Sequence, residues 1–96
     1  MKRDFHFYVY IMASRSRALY IGMTNTIRGR AKQHKDGEIE GFSKTYRTDR
    51  LVHFESFQYV TNCIDREKQL KKWSRAKKMA LIQRNNPTWE DLAAKW

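Results

Sequence analysis

The sequence is poor in cysteine, proline, glycine and acid. Its single cysteine, Cys63, excludes an internal disulfide and a multi-cysteine zinc centre. With one proline and four glycines it holds no repeat, low-complexity segment or domain linker. No apolar run approaches the roughly 18 residues of a membrane span; the longest begins at Tyr8 and ends at Ala13. The stretch Met1-Lys2-Arg3-Asp4 leads into no apolar segment long enough for a secretory signal. Acids number 10 against 20 Lys and Arg, a formal net charge of +10. At 96 residues there is room for one domain and none for a two-domain enzyme with a cleft between halves. What is present is aromatic: three Trp, five Tyr and five Phe, enough for one core, which excludes a disordered basic tail. The expectation is a single, soluble, cytoplasmic, strongly basic domain over residues 1–96, with no membrane association.

The charge is unevenly spread. Between Asp4 and Asp36 there is no acid, and the interval holds Arg15, Arg17, Arg28, Arg30, Lys32 and Lys35. From Lys68 to Arg84 there is again none, beside Lys71, Lys72, Arg75, Lys77 and Lys78. Two acid-free basic segments around a more acidic middle point to a phosphate backbone as partner.

Phe5 to Ala13 is dense in aromatic and β-branched residues and apolar on both alternating faces, as in a central strand. Phe5, Phe7, Val9 and Ile11 point one way; His6, Tyr8, Tyr10 and Met12 point the other. Leu19 to Gly22 reads as a second strand of an antiparallel hairpin. A turn centred near Arg15 would set Tyr10 opposite Tyr20. Thr24, Asn25 and Thr26 are competent caps for a helix reaching about Lys35, with Ile27, Ala31 and His34 on one face and Arg30 at its edge. Residues 37–50 read as a polar loop, and Leu51 to Phe57 as a third strand. A helix is predicted from near Thr61-Asn62 to about Trp73. Another is predicted from Arg75 to Arg84, its buried side being Ala76, Met79, Ala80 and Ile82. Asn86-Pro87 then reads as the start of a further helical turn, with Trp89, Leu92, Ala93 and Trp96 packing back. The order is β-β-α-β-α-α(-α), an α+β domain with a small antiparallel sheet.

Glu67 is the most informative residue. At about 100° per residue it falls only about 40° from Cys63, in the middle of an apolar helix face that also holds Leu70. A buried carboxylate costs several kcal/mol unless it is paired or metal-bound. It either pairs with a core-facing arginine such as Arg30 or ligates a divalent cation completed by water and substrate phosphate. Arg30 and His34 lie at i, i+4 on one helix face, and Tyr10 and Tyr20 are sheet neighbours. Each pair alone is compatible with plain packing.

Together these residues resemble the GIY-YIG nucleases, most closely their short stand-alone bacterial members, over nearly the whole chain. The first signature element stands as Tyr8-Val9-Tyr10, with Tyr in place of the leading Gly, and the second is intact as Tyr20-Ile21-Gly22. Arg30, His34 and Glu67, the last within Arg66-Glu67-Lys68-Gln69-Leu70-Lys71-Lys72-Trp73, follow in the family's order. Met23 stands where some family nucleases carry a Lys. The resemblance implies a three-stranded antiparallel sheet flanked by helices. It also implies hydrolysis of phosphodiester bonds with one divalent cation, Mg²⁺ or Mn²⁺. Glu67 would hold the metal, Arg30 would stabilise phosphate charge, and Tyr10 or Tyr20 would orient or deprotonate the attacking water, with His34 an alternative base. Arg28, Lys32, Lys35, Lys44, Tyr46, Lys68, Lys71 and Lys72 are the candidates for nucleic-acid contact. The implied activity is a DNA endonuclease, of use in repair or recombination. Its rivals are a non-catalytic nucleic-acid-binding module on the same fold and a partner subunit docking through Trp89 and Trp96. Family nucleases commonly attach further targeting domains, so substrate choice here would come from the domain's own surface, from an oligomer or from a separate protein partner.

Overall fold

The computed structural model describes residues 6–96. The elements run in the order β1 (Phe7–Ala13), β2 (Leu19–Thr24), α1 (Ile27–Lys35), α2 (Phe42–Tyr46), β3 (Arg50–Phe57), α3 (Val60–Lys72) and α4 (Arg75–Asn85). The strands form one antiparallel sheet with β1 in the centre, in the order β2-β1-β3. The α+β class and the β-β-α-β-α-α order are as the sequence pattern predicts; Phe5 lies outside the described residues.

Alternation along β1 splits the interior into two layers. Val9, Ile11 and Ala13 join Ile21, Val52, Cys63, Leu70, Leu81 and Ile82 in a core roofed by α3 and α4. Tyr10 and Met12 point to the other face, where they meet Ile27 and Ala31 of α1, Leu51 and Ala93. A bulge keeps both faces filled. Ile11 pairs with His53 and Met12 with Leu51, so Val52 is the extra residue of β3. Leu51 serves the α1 side and Val52 the α3 side.

Five expectations need correction. The hairpin register places Tyr10 opposite Gly22 and Met12 opposite Tyr20, so the tyrosines are diagonal rather than directly paired. The turn closes one step later than expected, with Arg17 in the left-handed region at φ 66°. The predicted polar loop contains the short helix α2, entered through Gly41 at φ 83° and ended by left-handed Arg47 at φ 53°. On α4 the buried pair is Leu81 and Ile82, while Ala76 and Ala80 face solvent. Finally, the tail is not helical. Asn86 Nδ2 donates to the Val52 and Glu90 carbonyls, and its Oδ1 accepts from Glu90 N. Leu92 N donates to the Leu51 carbonyl at 2.7 Å. Asp91 accepts from Leu51 N and Ala93 N and pairs with Lys35. The tail's polar groups are satisfied by β3 and by turns, which leaves no need for a helix. It packs back in part: Trp89 and Ala93 are buried as expected, whereas Leu92 and Trp96 stay exposed, Trp96 lying edge-on to Phe54.

Gly22 has a steric reason to be glycine. A Cβ there would stand 2.6 Å from Tyr10 Oη and 2.8 Å from Tyr10 Cζ. Tyr10 is among the largest fully buried side chains, so its ring cannot swing away freely. Gly22→Ala is expected to destabilise the fold by about 1–3 kcal/mol through overpacking, read as a lowered midpoint in urea unfolding.

Candidate active site

The α1 face of the sheet carries a buried polar chain. Tyr10 Oη lies 2.9 Å from His34 Nε2. His34 Nδ1 lies 2.6 Å from Ser43 Oγ, which is 2.5 Å from Thr48 Oγ1. Helix α1 supplies the histidine, α2 the serine, and the segment before β3 the threonine. All four side chains are buried, with Tyr10 1% and Thr48 0% exposed.

The electrostatics orient this chain. Burial, with the Tyr20 phenol second, pushes the Tyr10 hydroxyl above its ordinary value; Arg30 pulls the other way and Glu67 adds to the rise. Burial, with help from the Arg30 cation, lowers His34 from 6.5 to about 4. Both groups are therefore neutral at pH 7. The Tyr10 hydroxyl has no other acceptor among the described residues, so it donates to Nε2. Nδ1–H then donates to Ser43 Oγ, and the Ser43 hydroxyl to Thr48. Tyr20 leans on the same imidazole, its ring centroid 4.9 Å from that of His34 and 6.2 Å from that of Tyr10.

Arg30 and Glu67 complete the group. The Arg30 Nε is buried without a hydrogen-bond partner among the described residues. An orphaned charged donor of this kind costs on the order of 1–3 kcal/mol and suits an anion. Glu67 lies between buried Cys63 and Leu70, with its side chain 18% exposed. Its ion-pair partner is Lys71 at 3.7 Å, and no Arg30–Glu67 pair forms among the described residues. The pairing offered as the structural role of Glu67 is thus absent, and its carboxylate keeps free lone pairs. No cluster of three His, Cys, Asp or Glu side chains able to cage a metal is found among the described residues. A single carboxylate with open positions is the donor set that suits Mg²⁺ or Mn²⁺, which keep water and bind substrate phosphate, rather than zinc.

The candidate nucleic-acid residues Arg28, Lys32, Lys35, Lys44, Tyr46, Lys68, Lys71 and Lys72 are all exposed, but they are not equally free. Lys32 pairs with Asp36 at 2.7 Å, Lys44 with Glu40 at 3.6 Å, and Lys35 is held by Asp91. Arg28 lies over the Trp96 ring at 5.4 Å. Lys68 and Lys72 carry no ion pair among the described residues. Tyr46 stacks on Phe42 with centroids 4.5 Å apart. Ser43 and Thr48 were missed as members of the site. They lie in a segment that read as loop, and no local pattern announces that a hydroxyl will support a distant imidazole.

A family model described as GIY-YIG catalytic domain matches residues 6–80. A UPF0213 protein of Syntrophus aciditrophicus is 38% identical over 79 residues, covering 81% of this chain and 91% of that protein. One of Haloquadratum walsbyi is 34% identical over 80 residues, covering 83% and 89%. The solution NMR structure of a UPF0213 protein from Bacillus halodurans superposes with a TM-score of 0.59 at 27% identity, covering 90% of this chain and 92% of that one.

The lowered His34 value has a stability consequence. The unfolded chain takes up this proton near pH 6.5, the folded chain only near 4. The contribution of neutral His34 is therefore present above pH 6.5 and is lost as pH falls toward 4, by up to about 3 kcal/mol. An NMR titration should place the His34 midpoint near pH 4, and His34→Gln should flatten the stability curve across that window.

Proposed function

The chain belongs to the GIY-YIG family of nucleases, and we propose that it is a divalent-metal-dependent DNA endonuclease hydrolysing phosphodiester bonds, suited to repair or recombination. The observation that carries the proposal is the convergence of the Tyr10–His34 pair, Tyr20, Arg30 with its buried Nε unpartnered, and the under-paired Glu67 carboxylate. Arg30 binds a non-bridging oxygen of the scissile phosphate through its planar fork and stabilises the charge that builds there. The orphaned Nε supports this role, because a phosphate oxygen satisfies it. Glu67 would hold the cation, which would supply Lewis-acid polarisation of the phosphate when bound.

The attacking water gives its proton to Tyr10 Oη while the Tyr10 hydroxyl proton passes to His34 Nε2; as the new P–O bond forms, the bond to the leaving 3′ oxygen breaks and that oxygen takes a proton from solvent. A free phenolate is not required, which matters because burial disfavours one. The resting imidazole is neutral and so able to accept. The entering phosphate charge favours the imidazolium that forms, and Ser43 and Thr48 hold the ring in its tautomer. Tyr20, packed on the imidazole and half-buried, orients the water. Exposed Lys68, Lys71 and Lys72 are the backbone contacts on α3.

Glu67→Gln and Arg30→Ala should each lower cleavage of single-stranded, branched or duplex DNA at least about 100-fold while leaving circular dichroism intact, and Glu67→Gln should also leave salt-sensitive binding intact. Chelation should abolish cleavage, and added Mg²⁺ or Mn²⁺ should restore it. Wild-type binding without cleavage under both metals on all three substrates would replace this reading with that of a non-catalytic nucleic-acid-binding module.

A further inference from the structure

Three clefts run into one another, the first beginning at His34 and the third ending at Trp89. The first, about 400 Å³, is walled by His34, Ser43, Lys44 and Arg47. The second, about 490 Å³, shares Arg47 and Asp49 with it and extends to Ser14 and Arg15. The third, about 130 Å³, shares Ser14 and Arg15 with the second and adds Arg17, Arg50, Thr88 and Trp89. Asp36 and Asp49 line the first cleft and Asp49 the second, but no acid lines the third.

The third cleft has the chemistry of an oxyanion site. Three arginines border it, and none has an ion pair among the described residues. Such a cluster of like charges is relieved by an anion. Trp89 is 5% exposed and its indole N–H, a donor with no acceptor capacity, lacks a partner among the described residues. The Arg17 guanidinium is pinned 4.4 Å over the indole ring, and Arg75 donates to the Arg17 carbonyl at 2.7 Å. The space, about 130 Å³, admits a tetrahedral oxyanion, and the arginines around it give it the charge to hold one.

The backbone points the same way. Arg17 and Trp89 have φ of 66° and 56°, and the other non-glycine residue with positive φ among those described is Arg47, on the walls of the first two clefts. Each conformation costs on the order of 1–2 kcal/mol. Strain of this kind persists where the surrounding structure over-determines it, and it concentrates at ligand clamps.

We infer that Arg15, Arg17, Arg50 and the Trp89 indole N–H form a phosphate-binding pocket separate from the catalytic group, and that the phosphate belongs to the nucleic-acid strand lying along the connected clefts. The second half rests on the nuclease reading; the first does not. The phosphate is either an internal diester of the strand or a terminal monoester.

The test is a ¹H–¹⁵N titration of the full chain with inorganic phosphate, against sodium chloride of equal ionic strength. The Trp89 indole resonance should shift with phosphate alone and that of Trp73 should stay in place. The double variant Arg15→Ala, Arg50→Ala should raise the phosphate Kd about tenfold or more, with thermal unfolding confirming the fold. Trp89→Phe keeps the ring beneath Arg17 and should raise it severalfold, followed by ³¹P line width. A Trp89 resonance that follows ionic strength only, or variants that bind phosphate like the wild type, would overturn the pocket.

Oligonucleotides of equal length then separate the sources, added to Glu67→Gln protein so that nothing is cut. Equal shifts with 5′-phosphate, 3′-phosphate and doubly hydroxyl-ended strands identify an internal diester, and a larger shift with one phosphorylated end identifies a terminal monoester. Response to inorganic phosphate but to no strand would overturn the assignment to nucleic acid. Because no arm requires cleavage, failure of the nuclease reading and failure of the pocket are read separately.

Discussion

The structure depends on giving a buried phenol somewhere to donate. β1 is the central strand of a small sheet, so both of its faces must be filled, and Tyr10 fills one of them. A buried hydroxyl without an acceptor costs a few kcal/mol, and His34 Nε2 is that acceptor. The demand then propagates. His34 must stay neutral, so its other nitrogen must donate, and Ser43 and Thr48 receive it. α2 exists at the place that presents Ser43, and Gly22 leaves the space its neighbour's ring occupies. The second signature tripeptide thus ends in glycine because of a tyrosine on the adjacent strand.

Two carboxylates near the α3 face make an instructive contrast. Glu55 is held by Arg66 through two hydrogen bonds of 2.9 and 3.0 Å and by His53 at 2.8 Å. The His53 hydrogen bond, partly opposed by burial and then reinforced by Arg66, brings it from 4.5 to about 2. That carboxylate is fully used by the fold. Glu67, one residue after Arg66 on α3, receives only a long contact from Lys71 on its own helix. In a chain with twice as many bases as acids, a half-buried carboxylate left short of partners is open to a cation. The basic excess is likewise divided: some lysines are neutralised by neighbours, whereas Arg15, Arg17 and Arg50 are gathered around one small pocket.

Much of this was legible beforehand. The double-faced apolar pattern of residues 7–13 announces a central strand because side chains alternate with period two. The Cys63–Glu67–Leu70 spacing announces a carboxylate on a buried helix face because the period there is 3.6. The hairpin pairing differs by two residues, Tyr10 facing Gly22 rather than Tyr20, since a left-handed Arg17 lengthens the turn and nothing in Ser14 to Ala18 marks that conformation. The helical tail was inferred from Asn86-Pro87 and apolar spacing, but Asn86 and Asp91 spend their hydrogen bonds on β3 and the turns instead. Spacing alone cannot distinguish the two.

By itself, then, the sequence determined the faces of its elements, the α+β order, the excess of positive charge and the resemblance carried by Tyr10, Tyr20, Arg30, His34 and Glu67. These are local periodicities and residue types, and each is read within a window shorter than a helix. Only the tertiary structure decided that Tyr10 donates to His34, that His34 is neutral, that Arg30 and Glu67 do not pair, and that three arginines and an indole meet at one cleft. Those outcomes depend on burial and on partners many residues away, such as Tyr10 with His34 or Arg17 with Trp89. The chain acquires such distances only when it folds.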